Sequence, residues 1–417
     1  MKELETAKKI LLKITLESHP FALALRVAFK KDNVDPQSKS NITALLGCEL
    51  RHHYLLDNLI ARYVEEPDFE KTIYLRFLLA NKLFLKRFSE HELYALASQD
   101  IDKEKIDNLL MFVTSTNEII PNDLEKDSPE FLSMRFNTPA WVIRMWQKQY
   151  GKGIVFKILK TNYHQSIPSV RINTRLVKSE EILGKYPDFS ASTVEDVLIY
   201  QGRGTPKYLE EFKSRKMFFY KMGTKYVVDK LDLEPIKGIA IYSDVPNNIY
   251  LDLAVRFGKD VPLEVISNHT QSYFEGKKIC EEDGYNHINF YNAASSSVIT
   301  CLSKKVHTFF CLPKSTMFDL LRSTPDYFLR LKQDALDEII QGEGAALDEC
   351  AERVEVEGTL IYMIPTISKK ESVNLIANFL FKHPEFKLVE EKQFFPFDAY
   401  DSCLYYAILE KTGEPCD

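Results

Sequence analysis

A basic segment with interleaved aromatic residues is the part of the sequence whose residue types most directly suggest chemistry. Between Phe131 and Lys178 there are nine Lys or Arg residues and no Asp or Glu, whereas 60 acidic residues in 417 predict about seven over that length. Both tryptophans, Trp141 and Trp146, lie in the same segment. Cations that neutralise phosphates, together with rings that stack on unpaired bases, are the groups that RNA recognition requires.

This segment predicts an RNA-contacting surface, and its aromatic residues also have another interpretation. The predicted contacts are Arg135, Trp141, Arg144, Lys148, Tyr150, Lys152, Arg171, Asn173 and Arg175. We expect the cations to contact phosphates, and Trp141 or Tyr150 to stack on bases if they are exposed. Alternatively, Trp141 and Trp146 are core residues at helical spacing and the basic residues form a solvated face.

Cysteine, histidine and acidic residues give no comparable pattern. The seven cysteines are widely spaced and never form Cys-x-x-Cys, which fits a reducing compartment and predicts no zinc site. The adjacent His52 and His53 point to different faces of a predicted helix, so a shared metal is not expected. We therefore predict no bound metal. The acidic run from Asp334 to Glu357, which includes Glu343, is interpreted as a solvated helical face.

Length and composition describe an ordinary globular chain with several domains. The 417 residues are 45% hydrophobic and 27% charged, with a formal net charge of −6. At roughly 100–200 residues per domain, about two to four domains are expected. No uncharged apolar run approaches the roughly 18 residues of a membrane span, and the charged start does not resemble a secretory signal. We therefore expect a cytoplasmic protein without a membrane partner.

Hydrophobic periodicity divides the chain into three predicted domains, so that the expected fold class is multidomain α and α/β. Residues 1–125 carry apolar residues at helical spacing and predict an all-helical domain. Residues 130–215 combine a helix over Trp141–Tyr150 with a short strand, which predicts a small basic α+β module. Residues 216–417 alternate strand-like and helical runs, which predicts a mostly parallel sheet covered by helices on both faces. An interdomain linker is expected at 120–129.

Several sequence motifs follow one another in order along the chain. Thr138–Gly151 and Ser169–Thr174 resemble a Pro-x-Trp-Leu helix and an Arg-Ile-Asn strand in the RNA-binding module of the RsmB/NOP (Sun) family of RNA cytosine-5 methyltransferases. Leu46–Asp57 is similar to a helix of its NusB-like amino-terminal domain. Further matches in the family's order and spacing are Leu321–Asp326, Glu357–Tyr362, His383–Phe386 and Tyr400–Ala407.

The resemblance implies a NusB-like helical domain, a small RNA-binding module and a class I methyltransferase domain with a Rossmann-like α/β fold, over the same three ranges. It also implies S-adenosylmethionine as cofactor. In the reaction of the family, a cysteine thiolate attacks C6 of cytosine so that C5 becomes nucleophilic enough to accept the methyl group, and a second cysteine assists product release.

The residues at the cofactor-binding positions of the family differ from those that the cofactor requires. The aligned positions are Pro246, Asn247, Asn248, Asn268 and Asn292. The family has Pro-Gly-Gly-Lys at the loop that begins with Pro246 and carboxylates at the last two positions. Side chains in place of the glycines would crowd a ligand that lies on the backbone. We therefore expect cofactor binding to be lost.

Both catalytic cysteines of the family are also replaced. The family's loop Asp-Ala-Pro-Cys-Ser-Gly aligns with 311–316, which puts Lys314 at the cysteine position and Cys311 at the aspartate position. The second cysteine aligns with Pro365, which has no nucleophile. Cys311 is the one candidate for an unconventional nucleophile, although a thiol at the end of a buried strand is ordinarily an inert hydrophobe. Lys314 is interpreted either as a phosphate contact or as a solvated loop residue.

These observations predict an RNA-binding protein, with ribosomal RNA as its expected partner, that has lost catalysis and carries no cofactor. One alternative is an active RNA (cytosine-5) methyltransferase that uses S-adenosylmethionine and an unconventional residue such as Cys311. Another alternative is a protein-interaction scaffold, because NusB-like domains can bind protein as well as RNA.

Overall fold

The computed structural model describes residues 2–116, 119–120, 124–164, 166–293 and 297–413. Part of the expected linker, at 121–123, lies outside these residues. Within the described part of the chain, no helix is long and apolar enough to cross a membrane.

The chain divides into two compact units. The first comprises Met1–Gln165 and Leu320–Gln333, and the second comprises Ser166–Asp319 and Asp334–Asp417. The chain therefore returns to the first unit for a short stretch before it completes the second. The division into the three domains expected from the sequence remains a prediction.

The described residues of the first unit form helices joined by turns and loops. Its helices are α1 (Lys2–Thr15), α2 (Phe21–Lys31), α3 (Pro36–Arg51), α4 (His53–Ala61), α5 (Phe69–Ala80), α6 (Glu90–Ala97), α7 (Lys103–Ser115), α8 (Pro129–Phe136) and α9 (Ala140–Asn162), with a π-helical turn at Asn81–Leu85 and a short helix at Tyr327–Arg330. Apolar residues at helical spacing, such as Ile10, Leu11 and Ile14, converge in one core. Before α3, the Asp35 carboxylate accepts hydrogen bonds of 3.0 Å from two amides of the first turn.

Helix α9 extends well beyond the predicted helix at Trp141–Tyr150. It is interrupted at Gly151, where φ is 78° and ψ is 160°. Glycine reaches this conformation without the steric penalty that a Cβ imposes. The turn between α8 and α9 is fixed by Asn137, whose Nδ2 donates to Leu50 O (2.7 Å) and whose Oδ1 accepts from Tyr54 N (3.3 Å). This side chain anchors the start of α9 at the corner between α3 and α4.

The second unit begins with a small antiparallel sheet. Its strands are β1 (Ser169–Ile172), β2 (Phe189–Ala191), β3 (Val197–Tyr200) and β4 (Met217–Phe219), in the order β2-β3-β1-β4. Helices α10 (Ser179–Lys185), α11 (Glu210–Lys213) and α12 (Met222–Lys230) follow in the chain, with a 3₁₀ turn at Pro206–Tyr208. Val170, Ile172 and Ile182 lie in the core beneath this sheet.

A seven-stranded, mostly parallel sheet forms the rest of the second unit. Its strands are β5 (Ile239–Ser243), β6 (Leu263–Ser267), β7 (Ile288–Asn292), β8 (Val306–Leu312), β9 (Val354–Ile364), β10 (Phe386–Phe394) and β11 (Leu404–Lys411), in the order β10-β11-β9-β8-β5-β6-β7. Strand β11 pairs antiparallel with both of its neighbours, β9 and β10, and the other described pairs of this sheet are parallel.

Helices cover both faces of this sheet. They are α13 (Ile249–Phe257), α14 (Thr270–Asp283), α15 (Val298–Cys301), α16 (Ala335–Glu352) and α17 (Val373–Lys382), with 3₁₀ turns at Pro235–Lys237 and Phe318–Arg322. Two separate cores result, one containing Leu253 of α13 and the other Leu347 of α16. All five residues of β5 are buried, as expected for a central parallel strand. The predicted helical and α/β fold class is therefore confirmed.

Candidate functional site

The carboxyl ends of three neighbouring parallel strands meet at Asp244. This residue follows β5, and its Oδ1 accepts hydrogen bonds from Asn268 Nδ2 (2.7 Å) and Tyr242 Oη (2.6 Å). Its Oδ2 accepts a bond of 2.8 Å from the backbone nitrogen of Lys314, and its own amide donates to Leu312 O (3.1 Å). One carboxylate thus joins the loops after β5, β6 and β8. Sequence analysis missed Asp244, although an acidic residue directly after a buried parallel strand is a recognisable signal.

The loop aligned with the cofactor loop of the family is filled by its own side chains. Asn247 Oδ1 accepts a bond from Ile249 N (3.2 Å), and Asn248 Nδ2 donates to Phe219 O (2.9 Å). Asn248 has φ −126°, so the turn into α13 does not use the left-handed conformation that favours glycine there. Pro246 is exposed. The two asparagine side chains hold the loop against the start of α13 and the small sheet.

The two other cofactor positions lie at the ends of β6 and β7. Asn268 follows β6, and Asn292 ends β7 beside Ser267. Both side chains are exposed. Asn268 donates to Asp244, so the loop after β5 supplies an acidic group at this edge.

The two positions aligned with the catalytic cysteines also lie at this edge, because Lys314 follows β8 and Pro365 follows the adjacent β9. Lys314 is exposed and Pro365 is half-buried. Cys311 is fully buried in the core beneath α16, which also contains Cys350. The structure therefore places the Cys311 thiol inside the protein.

The other described cysteines are also in environments that disfavour a thiolate. Burial raises the pKa of Cys48 to about 11 and that of Cys280 to about 12. Burial likewise raises the pKa of Cys301, Cys350 and Cys403. A cysteine nucleophile requires the opposite shift, so none of these five thiols is activated.

The buried carboxylate of Glu371 joins the loops that contain Lys314 and Pro365, and a second buried carboxyl group, that of Glu343, lies near it. Glu371 accepts hydrogen bonds from Thr316 N (2.7 Å), Thr316 Oγ1 (2.9 Å) and Thr366 Oγ1 (2.7 Å). Burial, followed by the nearby Glu371 charge, raises the pKa of Glu343 to about 11, and burial also raises the pKa of Glu371. Glu343 is fully buried, so its interpretation as part of a solvated face is wrong.

The cations at the start of α9 and on α8 are exposed. Arg144 Nη1 lies 2.5 Å from Glu130 Oε1, and Lys152 Nζ lies 2.7 Å from Asp127 Oδ2. These two carboxylates precede the acid-free segment in the sequence. They neutralise part of the positive charge that the composition of the segment suggests. Such exposed ion pairs contribute little stability and leave both partners open to competition. Arg135 and Lys148 are exposed and form no ion pair with a described carboxylate.

The aromatic residues of α9 divide between core and surface. Trp146 is fully buried, in agreement with the core alternative, whereas Trp141 and Tyr150 are half-buried. Beyond Gly151, the rings of Phe156 and Tyr163 have exposed fractions of 40% and 49%.

These two exposed rings lie on one face of α9 with Lys160, which is also exposed. Phe136 of α8 contacts both rings, with centroid distances of 5.7 Å to Phe156 and 6.1 Å to Tyr163. Sequence analysis did not select these residues, although their spacing of four and three residues is helical. The second half of α9 therefore presents an aromatic and basic face.

Arg171 has an internal role in the second unit. It is buried on β1, where its Nε lies 2.8 Å from Asp252 Oδ1 on α13 and its Nη1 lies 3.3 Å from Asp196 Oδ2. The ion pair with Asp252 connects the small sheet to α13, one of the helices that cover the large sheet. Arg171 is therefore unavailable for the phosphate contact expected from the sequence.

Asn173 and Arg175 also act within the second unit. Asn173 is buried, and its Nδ2 donates to Arg215 O (3.3 Å). Arg175 Nε donates to Val255 O (2.6 Å) and its Nη2 to Arg256 O (3.2 Å), at the carboxyl end of α13. Cationic side chains commonly satisfy the last carbonyls of a helix. These contacts assign structural roles to both residues.

No family model matches the sequence. The chain is 17% identical over 397 residues to "Probable ribosomal RNA small subunit methyltransferase B" of Bacillus subtilis, a match that covers 92% of this chain and 89% of that protein. It thus extends over nearly the full length of both proteins.

Solved structures show the same fold. The crystal structure of PH0851 has a TM-score of 0.73 and 20% identity, and the match covers 98% of this chain and 99% of that one. A methyltransferase homologue from Pyrococcus horikoshii has a TM-score of 0.58 and 13% identity, covering 69% of this chain and 100% of its own. NSun6 from Pyrococcus horikoshii with SFG has a TM-score of 0.57 and 11% identity, covering 65% and 98%.

Strand order, helical layers and these likenesses define a class I methyltransferase fold preceded by helices. The nearly full-length similarity to the Bacillus subtilis protein agrees with the motifs found in the sequence. The chain is thus similar to that protein over nearly its full length and shares the fold of these solved structures.

Proposed function

We propose that this chain is an RNA-binding member of the RsmB/NOP family that has lost both methyl transfer and the binding of S-adenosylmethionine. Ribosomal RNA is the proposed ligand, because the curated relative is named as a ribosomal RNA methyltransferase; such a ligand would be met in the cytoplasm. The proposed parts are a NusB-like helical domain (1–125), an RNA-binding module (130–215) and a degenerate methyltransferase domain (216–417).

The observation that carries the proposal is the identity of the residues at the two nucleophile positions. Lys314 and Pro365 stand at the edge of the sheet where the family has cysteines, and neither can form the thiolate adduct with cytosine. The nearby thiol of Cys311 is fully buried in the core, which argues against its use as a replacement. An active methyltransferase that uses Cys311 is the alternative.

The residues at the cofactor positions do not fit S-adenosylmethionine. Asn268 and Asn292 lack the carboxylates that would accept hydrogen bonds from ribose or lie near adenine. The Asp244 carboxylate adds negative charge between β5 and β8 and is already bonded to Asn268 and Lys314. We therefore assign no reaction step to the cofactor.

The proposed RNA-binding surface is the exposed side of α8 and α9. Arg135, Arg144, Lys148 and Lys152 would contact phosphates, and the exposed rings of α9 would stack on unpaired bases. Exposed rings flanked by lysines are better suited to single-stranded loops than to the groove of an A-form helix, because stacking requires bases that are free of their partners. RNA with unpaired segments is therefore the expected ligand.

Calorimetry and a methyl-transfer assay test the loss of activity. The chain and the Bacillus subtilis relative would each be titrated with S-adenosylmethionine and then incubated with labelled cofactor and small-subunit ribosomal RNA. We expect heat of binding and RNA methylation only for the relative. Transfer of a methyl group to cytosine by this chain would refute the proposal. Retention of transfer in a Cys311→Ala variant would then also exclude the Cys311 alternative.

Crosslinking tests the RNA ligand and the scaffold alternative together. RNA bound to the chain in cells would be crosslinked and sequenced, with an Arg135→Ala/Lys148→Ala variant as the control. We expect enrichment of ribosomal RNA that falls in the variant. Equal recovery of all RNAs by both proteins, with a copurifying protein that persists after nuclease treatment, would support a protein-interaction scaffold instead.

A further inference from the structure

A basic groove lies on the helical unit, outside the segment predicted to contact RNA. It has a volume of about 430 Å³ and follows one face of α3. Its polar and aromatic lining residues are Phe21, Lys39, Ser40, Thr43, Arg51 and Arg87. Three cations and two hydroxyl groups therefore face one open groove, with an aromatic ring among its lining residues.

The three cations of the groove are not neutralised by the protein. Lys39, Arg51 and Arg87 are exposed, and none forms an ion pair with a carboxylate among the described residues. Elsewhere on the same unit, exposed cations such as Arg144 and Lys152 lie beside carboxylates. Neighbouring like charges repel one another, so a cluster of this kind favours an anionic ligand.

The backbone holds two of the cations in place. Arg51 Nη1 donates to Gly47 O (3.3 Å), and a Cβ at residue 47 would lie only 3.2 Å from that nitrogen. The amides of Arg87 and Phe88 both donate to the buried Asn81 side chain at 2.9 Å. Glycine at 47 therefore leaves space for one guanidinium group, and Asn81 fixes the loop that carries the other.

The groove adjoins the anchor of the basic helix α9. Arg51 directly follows Leu50, whose carbonyl accepts the Asn137 hydrogen bond that fixes the turn before α9. One end of the groove thus lies at the corner from which the proposed RNA-binding helices start. A ligand with repeated phosphates could span both places, whereas a single carboxylate could not.

We propose that this groove is a second RNA-binding site, in which Lys39, Arg51 and Arg87 contact consecutive backbone phosphates and Ser40 and Thr43 donate hydrogen bonds to them. Guanidinium groups bind phosphate oxygens through two parallel hydrogen bonds, and hydroxyl groups add donors without charge. The inference deepens the proposed function and rests on it, since it assigns RNA contacts to the α3 face as well as to α9.

The salt dependence of RNA binding by the full chain tests the site. The probe is a fluorescein-labelled RNA hairpin with a single-stranded loop, and affinity is measured by anisotropy over a range of KCl concentrations. A Lys39→Ala/Arg51→Ala/Arg87→Ala variant should lower the slope of log K against log salt by about 2–3 and weaken binding at least about tenfold at low salt.

A control variant, Lys71→Ala/Lys103→Ala/Lys105→Ala, removes the same charge from exposed positions on the unit that do not line the groove. It should change the slope by less than about 1.

The outcomes separate this inference from the proposed function. If the unaltered chain binds the hairpin and the groove variant keeps its slope, the groove is not an RNA site although RNA binding stands. Equal losses of RNA affinity and slope in the groove and control variants would show that net charge alone causes the effect, and would also contradict the proposed site. If the unaltered chain does not bind RNA, the proposed function itself fails. Thermal unfolding of each variant shows whether it is folded, and Lys39→Gln/Arg51→Gln/Arg87→Gln provides a second variant that keeps side-chain bulk.

Discussion

The carboxylate of Asp244 accepts a hydrogen bond of 2.8 Å from the backbone amide of Lys314. These residues follow β5 and β8, which are neighbours in the sheet although β6 and β7 separate them in the chain. Open α/β sheets bind ligands at such a point, where the strand order reverses. In this protein, the hydrogen bond between Asp244 and the Lys314 amide joins the two loops at that point.

Replacing Asp244 tests how much that edge depends on the carboxylate. Asp244→Ala removes the acceptor of Tyr242, Asn268 and the Lys314 amide, and should lower the free energy of unfolding by about 1–3 kcal/mol. Urea unfolding measures the change. Asp260→Ala removes an exposed carboxylate, with an exposed side-chain fraction of 98%, and should have an effect within about 0.5 kcal/mol. Equal effects in the two variants would show that the Asp244 bonds are not stabilising.

Removal of Arg171 should destabilise the second unit. Arg171→Ala leaves the buried Asp252 carboxylate without its nearest cation, and breaking such a pair costs about 3–5 kcal/mol. Chemical denaturation provides the measurement, and Arg203→Ala, at an exposed arginine, is the control. The RNA affinity of the folded Arg171→Ala protein should be unchanged. If the variant were as stable as the original protein but bound RNA more weakly, Arg171 would be a phosphate contact, as predicted from the sequence.

Loss of Glu130 should strengthen RNA binding. Glu130→Gln frees Arg144 from its carboxylate partner and removes one negative charge near the proposed surface. Since an exposed ion pair is worth about 0.2–1 kcal/mol, the affinity should rise by a factor of about 1.4 to 5. Fluorescence anisotropy with the RNA hairpin measures it. Glu104→Gln makes the same charge change at an exposed position of α7 and serves as the control; an equal gain there would indicate net charge alone.

Stability should depend on pH through the buried Glu343. Because its pKa is raised to about 11 in the folded protein, the unfolded chain releases this proton first, and stability falls as pH rises above about 4.5. Glu343→Gln should therefore match the original protein near pH 4 and become progressively more stable than it towards pH 9, by at most about 1.4 kcal/mol per pH unit. Urea unfolding over this pH range measures the difference. The exposed Glu338→Gln serves as the control, and a pH-independent gap for Glu343→Gln would contradict the shifted titration.

The fold could be predicted because its elements follow local patterns. Fully apolar strands such as β5 and helices such as α13 carry the periodicity of buried parallel sheets, and the motifs of the family supported the same order. The long-range features were inaccessible. Nothing in the local pattern at residues 320–333 indicates that this stretch packs with the first unit, because that depends on contacts such as Phe21 N to Asp326 Oδ2 (3.0 Å), between residues far apart in sequence.

The candidate site could be predicted in position better than in detail. Aligning Lys314 and Pro365 with the cysteine positions required only sequence order, and both lie after adjacent strands of the sheet. Local charge counts failed for Arg171, because its acidic partner Asp252 is 81 residues away. Counting charges within the segment also made Arg144 seem unpaired, because its partner Glu130 lies just before the acid-free segment. Ion pairs depend on distances between side chains in the folded protein, and a short stretch of sequence does not give those distances.

The return of residues 320–333 to the helical unit has a consequence for how this protein is made. Leu329 packs against the core of that unit, and Asp326 bonds both to Phe21 N and to Arg330 within it. A nascent chain that has left the ribosome as far as residue 165 therefore still lacks part of its first core. The amino-terminal helices must wait for synthesis of most of the later unit before they are complete, so translation order and the order of assembly differ in this protein.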